Sequence, residues 1–140
     1  MRPRRDRGSV LMLMPAGVLI LLLLGAIAFD LSLVFLRQRQ ASSLAVDVAN
    51  DLVTAALDEG RFRAEGTYVL DPEAADRIGH ALVGASDLAD EVVGLEIEVL
   101  GDDSVEVEVV VALDYVFAKA IPGASDGTTV TASAIAVATS

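Results

Sequence analysis

An uncharged run of 21 residues, from Ser9 to Phe29, lies near the start of this chain. At ~1.5 Å rise per residue, a helix of this length matches the roughly 30 Å hydrocarbon core of a bilayer. A removable signal peptide has a shorter apolar region, about 7–15 residues long. The chain also stays apolar after the run, as FDLSLVFL. We therefore expect a retained transmembrane helix over residues 9–36.

Cleavage remains an alternative, because the residues Ala26-Ile27-Ala28 have the small-x-small form of a signal-peptidase site. Cutting after Ala28 would release an exported soluble binding module that begins at Phe29. The length of the run favours the anchor over this module.

The charges on the two flanks of the run predict its orientation. The leader, residues 1–8, carries four arginines and one acid, whereas the far flank carries only Arg37 and Arg39 before many acids. Cytoplasmic flanks are the ones rich in Lys and Arg. The N-terminus is therefore expected in the cytoplasm, and the C-terminal part outside the cell membrane.

Two residues within the apolar segment call for an explanation. Asp30 falls at its far end, where a carboxylate costs much less than at the bilayer centre. The sequence favours an interfacial position for Asp30 over pairing within an assembled membrane complex. Pro15 lies early in the run, where a membrane helix tolerates it. Gly17 and Gly25 are too far apart for a GxxxG dimer motif.

A helical extension is predicted over residues 37–59. Leu44, Val48 and Leu52 are spaced by four and form one apolar stripe. Together with the span they predict one helix from about Ser9 to Glu59, ended by Gly60. The stripe has two candidate partners, this chain's own outer domain or a helix of another subunit.

The outer domain, residues 60–140, begins with a predicted loop over residues 60–68. The sequence Asp71-Pro72-Glu73 then has the N-cap, first-turn proline and acidic residue of a helix start, and Gly84 ends that helix. A further short turn, SDLADEV, follows.

Beyond this point the period of the sequence changes from helix to strand. Residues 93–100 and 104–117 alternate apolar and acidic side chains and are joined by a turn at Gly101-Asp102-Asp103. Residues 128–140 read as a third strand. We expect an α+β fold: a three-stranded antiparallel sheet with one or two short helices, one sheet face acidic and wet, the other packed on a helix.

Composition excludes several classes of function. The chain carries a net charge of −11, and beyond Gln40 it has nineteen acidic and four basic side chains, so a nucleic-acid partner is not expected. It has no cysteine and one histidine, His80, which removes thiolate chemistry and multi-histidine metal sites. We expect no catalytic residues, no cofactor, no metal and no small-molecule ligand.

Acidic clusters are the remaining candidates for a site. The strand glutamates (Glu96, Glu98, Glu106, Glu108) favour a solvated face over a calcium site, because calcium ligands usually converge from a loop. A serine–histidine–acid site would have to use His80 with Ser86 and Asp87, but no nucleophile-elbow pattern is present.

Several motifs occur in a fixed order along the chain. A basic start is followed by RGSV, Pro15, LLLGAIAFD with Gly25 and Asp30, then LRQRQ and an alanine-rich helix holding Asp47. ALDYVFAKAIPG and an alternating, alanine-rich last strand close the chain. This order resembles the TadE/TadG-like proteins of Flp (Tad) pilus assembly. The resemblance covers both ends of the chain but not residues 60–92.

The resemblance implies a membrane-anchored, pseudopilin-like accessory protein without catalytic activity. Its partners would be the bacterial membrane and other pilin-like subunits, reached through the N-terminal helix. It also implies a candidate leader-cleavage site between Gly8 and Ser9. Pilin-type substrates carry Glu at the fifth mature position, where this chain has Leu13. That difference moves the match toward the TadG-like branch of uncleaved anchors.

Overall fold

The computed structural model describes residues 7–66 and 69–138. It is an α+β fold, as expected from the sequence. In chain order its elements are helices α1 (Arg7–Ala55), α2 (Glu59–Glu65) and α3 (Pro72–Gly84), strands β1 (Val92–Leu100) and β2 (Ser104–Asp114), a 3₁₀ turn (Ala118–Ala120) and strand β3 (Gly127–Val137).

Helix α1 contains 49 residues and continues without a break past Pro15. At ~1.5 Å per residue it is roughly 74 Å long. It ends at Ala55, so the prediction of one helix to Glu59 was wrong. The chain instead pairs with a later segment: the Asp58 N–H donates to the Val69 carbonyl at 2.8 Å, and the Asp71 N–H donates to the Ala56 carbonyl at 2.9 Å.

Helix α2 occupies most of the segment predicted to be a loop, and Gly60 lies inside it instead of ending α1. The physical reason is the N-cap. Asp58 Oδ1 accepts the backbone N–H groups of Gly60 at 2.9 Å and Arg61 at 3.0 Å, which starts a new helix. The helix ends at Gly66, which has the left-handed φ of 69°.

Helix α3 begins and ends as predicted. Asp71 Oδ1 accepts the N–H groups of Glu73 and Ala74, Pro72 occupies the first turn, and Gly84 is the last residue. Gly79 lies on its buried face, where an added Cβ would be 2.1 Å from Ile97 Cδ1. The glycine therefore allows α3 to approach β1 closely.

The three strands form an antiparallel sheet in the order β1-β2-β3. The predicted turn at Gly101 joins β1 to β2, with a left-handed φ of 72°. Strand β2 ends at Asp114, so the prediction that it runs to residue 117 was wrong. The residues after Tyr115 turn away from the sheet toward α1.

The core lies between one face of the sheet and the second half of α1. Alternate residues of β2 are buried on this face: Val105, Val107, Val109, Val111 and Leu113. Small and branched residues of α1 pack against them: Ala41, Ala45, Val48, Ala49 and Leu52. The helical extension is thus a structural part of the outer domain, and its alanines allow the helix to lie close to the strands.

Candidate functional site

The first half of α1 has the properties of a membrane span. It is long and apolar enough to cross a bilayer, and almost none of it is buried by the rest of the protein. Its large side chains from Leu13 to Phe29 are exposed, including Leu19, Leu21, Leu22, Leu24 and Ile27. Pro15 and Gly25 are also exposed on this segment.

The candidate cleavage site lies at the start of this helix. The backbones of Gly8 and Ser9 are within the first turns of α1. Residues 1–6 of the basic leader, which include Arg2, Arg4 and Arg5, lie outside the described residues.

Asp30 is the one buried charged residue in the described part of the chain, and 7% of its surface is exposed. Its carboxylate accepts three consecutive backbone N–H groups. Val116 donates to Oδ1 at 3.0 Å, Ala118 donates to Oδ2 at 2.9 Å, and Phe117 lies 3.2 Å from both oxygens. Asp30 therefore holds the chain that leaves β2, within the same molecule.

The sequence pattern offered an interfacial position or a pairing role for Asp30. The structure adds a partner that neither interpretation named: the carboxylate binds the backbone of its own domain at the end of the uncharged run. Three N–H donors on one carboxylate satisfy a buried charge without a basic partner.

An aromatic contact reinforces the attachment made by Asp30. The rings of Phe29 and Phe117 meet edge to face, with centroids 5.4 Å apart and planes at 89°. Phe117 also closes one side of an apolar groove along α1 that includes Leu22, Gly25 and Ala26. The loop after β2 therefore lies beside the last turns of the uncharged run.

We call residues 115–126 the Asp30-bound loop. Its apolar side chains Val116, Phe117 and Ile121 are exposed. Sequence reasoning missed this group, because it assigned Val116 and Phe117 to a strand and the rest to a connection. The available signal was the apolar pair Val116-Phe117 just before a Pro-Gly sequence.

Lys119 is the one basic residue of the Asp30-bound loop. Its ammonium donates to Asp114 Oδ2 at 2.8 Å. This hydrogen bond to a carboxylate raises the pKa of Lys119 above its ordinary value.

A second attachment joins α1 to the domain one to two turns further along. Arg37 forms an ion pair with Glu91 at 2.9 Å, and both side chains are about one-third exposed. The Gln38 side-chain amide donates to the Thr131 carbonyl of β3 at 2.8 Å. With the Asp30 contacts, these bonds fix the direction of the span relative to the sheet.

The stripe formed by Leu44, Val48 and Leu52 packs on this chain's own domain. Val48 and Leu52 are buried in the core, and Leu44 packs against its edge. The sequence left two candidate partners for this stripe. In the structure it packs on this chain's own domain.

A different apolar face of α1 remains uncovered beyond Asp30. Leu31 and Phe35, four residues apart, are 64% and 71% exposed. They continue the row formed by Leu24 and Ile27 in the span, because these positions share one side of a helix. We call Leu24, Ile27, Leu31 and Phe35 the uncovered row.

The four strand glutamates lie on the sheet face away from α1. Glu96 pairs with Glu108, and Glu98 with Glu106, directly across β1 and β2. Within the described residues no group of three or more acidic or histidine side chains is arranged to hold a metal ion. The face is a concentrated negative surface.

The residues considered for acid–base chemistry make local contacts. The Ser86 hydroxyl donates to the Val83 carbonyl at 2.7 Å, at the end of α3. His80 Nδ1 lies 2.9 Å from the Asp76 carbonyl, one turn earlier in the same helix. Neither of these contacts brings His80 and Ser86 together.

Comparison with known proteins adds no relative on which to base a function. No protein-family model, curated protein sequence or solved structure matches this chain. The resemblance to TadE/TadG-like proteins therefore stays a prediction from sequence.

Proposed function

We propose that this protein is a single-pass, membrane-anchored accessory subunit for assembly of a Flp/Tad-type pilus or a related secretion system. It acts in a pseudopilin-like way, through contacts of its helix and outer domain and without catalysis. Its N-terminus lies in the cytoplasm, and its sheet domain lies outside the cell membrane.

The observation that carries this proposal is the exposed apolar surface of α1. The segment from Leu13 to Phe29 has no partner among the described residues that would bury it, and a bilayer would. The uncovered row continues past the uncharged run to Phe35, where the domain leaves it exposed. A neighbouring subunit with a similar helix would cover this surface by helix-to-helix packing.

Cysteine crosslinking tests this proposal, because the native chain has no cysteine. Phe35→Cys and Leu31→Cys place single thiols on the uncovered row. A pilin-like subunit in the same cells carries a cysteine placed in its own N-terminal helix. After oxidation of the membranes we expect disulfide adducts between the two chains, and mass spectrometry identifies the second chain. Ser133→Cys, exposed on the opposite side of the domain, is the matched control.

A piliation assay adds the functional readout. Phe35→Glu should abolish or strongly reduce surface pili while the protein accumulates in the membrane at its normal level. Normal piliation with Phe35→Glu, or equal crosslinking from Phe35→Cys and Ser133→Cys, would contradict a role for the uncovered row.

The alternative is an exported binding module that begins at Phe29. One observation favours keeping it: the packed core begins only at Val34, and the Asp30 contacts would survive cleavage after Ala28. The N-terminal residue of the protein recovered from membranes separates the two. Met1 or Arg2 indicates a retained anchor, Ser9 indicates prepilin-type processing, and recovery only outside the membrane with Phe29 first supports the module.

A further inference from the structure

The Asp30-bound loop exposes three apolar side chains that lie close together in sequence. Val116, Phe117 and Ile121 are each about half exposed. They surround the 3₁₀ turn Ala118–Ala120 and precede Pro122. Exposed apolar residues grouped in one loop indicate a surface that contacts another apolar phase.

The position of the loop in the fold points to the bilayer as this apolar phase. Asp30 directly follows the uncharged run, and its carboxylate holds the backbone of residues 116–118. Phe117 contacts Phe29, the last residue of the run. If α1 spans a bilayer from Ser9 to Phe29, its ~31 Å length ends at the level of the loop. Through Phe117, the loop meets the apolar surface of the span at the groove that also includes Gly25 and Ala26.

The part of the loop backbone that carries the three apolar side chains is largely hydrogen-bonded, as a low-dielectric environment requires. In lipid, each backbone N–H without a partner costs several kcal/mol. Here the N–H groups of Val116, Phe117 and Ala118 bind Asp30. Four further N–H groups bond within the loop. Tyr115 donates to the Asp126 carbonyl, and Ala120 donates to the Phe117 carbonyl. Ile121 donates to the Ala118 carbonyl, and Ala124 donates to the Ile121 carbonyl.

From these observations we propose that the Asp30-bound loop inserts Val116, Phe117 and Ile121 into the outer edge of the bilayer as a second membrane contact beside the span. Lys119, whose ammonium is paired with Asp114, lies among them at headgroup level. Two contacts hold the domain at a fixed tilt and height, whereas a single helix leaves it free to rotate. This inference rests on the proposed membrane anchor.

The native chain has no tryptophan, so a single introduced indole reports on one position. Phe117→Trp is the probe in the full chain, reconstituted in phosphatidylcholine vesicles. Lipids brominated either near the headgroup or near the chain end serve as quenchers. We expect blue-shifted emission and at least twofold stronger quenching by the shallow bromines than by the deep ones. Ile121→Trp, which keeps the Phe29–Phe117 contact, should behave in the same way.

Two control positions make the outcome specific. Ile135→Trp, 61% exposed on the wet face of β3, should be quenched by neither lipid. Leu19→Trp, near the middle of the uncharged run, should be quenched most by the deep bromines. If Leu19→Trp is unquenched, the anchor itself fails.

Two further outcomes would contradict the proposal that the Asp30-bound loop inserts into the bilayer. In one outcome, brominated lipid quenches Leu19→Trp, but Phe117→Trp and Ile121→Trp are as weakly quenched as Ile135→Trp. The anchor then stands, and the proposal that the loop inserts into the bilayer is overturned. Blue-shifted emission at Phe117→Trp that no brominated lipid quenches would place a second copy of the chain over the loop and would also overturn it.

Discussion

The carboxylate of Asp30 accepts the backbone N–H of Ala118 at 2.9 Å, although the two residues are 88 positions apart. This bond joins the end of the apolar part of α1 to the chain that leaves the central strand. Because the same carboxylate also binds Val116 and Phe117, one side chain sets the conformation of the whole turn. The conformation of this turn should therefore depend on the Asp30 carboxylate.

Asp30→Ala is expected to release the Asp30-bound loop without unfolding the sheet. Leaving a buried donor without its acceptor costs about 1–3 kcal/mol. Amide hydrogen exchange at Phe117 and Ala118 should therefore become roughly tenfold faster or more, since ~1.4 kcal/mol corresponds to a factor of ten. Amides of Val107 and Val109 in β2 should keep their protection.

Two variants serve as controls for Asp30→Ala. Asp30→Asn keeps one acceptor oxygen, so it should lie between the native protein and Asp30→Ala. Asp51→Ala, an exposed acid of the same helix, should leave exchange at Phe117 unchanged. Native-like exchange in Asp30→Ala would show that Phe29 and Phe117 hold the loop without the carboxylate.

Ala45→Leu is expected to destabilise the domain by overpacking. Ala45 is fully buried where α1 lies against the sheet. A larger side chain there forces strands and helix apart, at a cost of about 1–3 kcal/mol. Urea unfolding in detergent, followed by circular dichroism, measures the change. Ala55→Leu, exposed at the end of α1, is the matched control and should change stability little.

Leu52→Ala should destabilise the domain by creating a cavity. Leu52 is among the largest fully buried side chains and meets α3 near Gly79 as well as the core. Removing a buried leucine side chain costs about 2–5 kcal/mol. Val46→Ala, on the exposed side of α1, should cost far less. Similar unfolding midpoints for the two variants would indicate that α1 is not packed on the domain as described.

Gly127→Ala tests a close backbone approach at the start of β3. An added Cβ would lie 2.3 Å from the Leu113 carbonyl oxygen and 3.2 Å from Asp114 Cα. Backbone atoms cannot rotate away, so strand pairing must distort, and we expect a loss of about 1–3 kcal/mol. Gly84→Ala has open space around the new methyl group and should not destabilise the protein. Thermal unfolding of the two variants gives the comparison.

Local patterns in the sequence predicted most of the elements. The alternation of Val105 and Val107 with Glu106 identified the strand face that packs on a helix, and Asp71-Pro72 located the start of α3 to the residue. These signals act over a few positions, so a sequence displays them directly. The same holds for Gly101, whose left-handed φ sets the turn between β1 and β2.

Errors arose where distant residues determine the local conformation. Helix α1 stops at Ala55 because the next residues pair with Val69 and Asp71, and helix α2 begins because Asp58 is then free to cap it. Strand β2 stops near Asp114 because Asp30, far away in sequence, takes the next backbone N–H groups. The partners of Asp30 lie 86 to 88 positions away, so no window of sequence around Asp114 contains them.

The Asp30 contacts also order the events of biogenesis. Asp30 leaves the ribosome 86 residues before Val116, its first partner. During that interval the carboxylate lacks the three N–H donors that surround it in the fold, and a charged group without such partners favours water. Chain closure over so many residues is late and slow compared with helix formation. The arrival of Val116 to Ala118 at Asp30 then marks the point at which the long helix and the sheet become one folded unit.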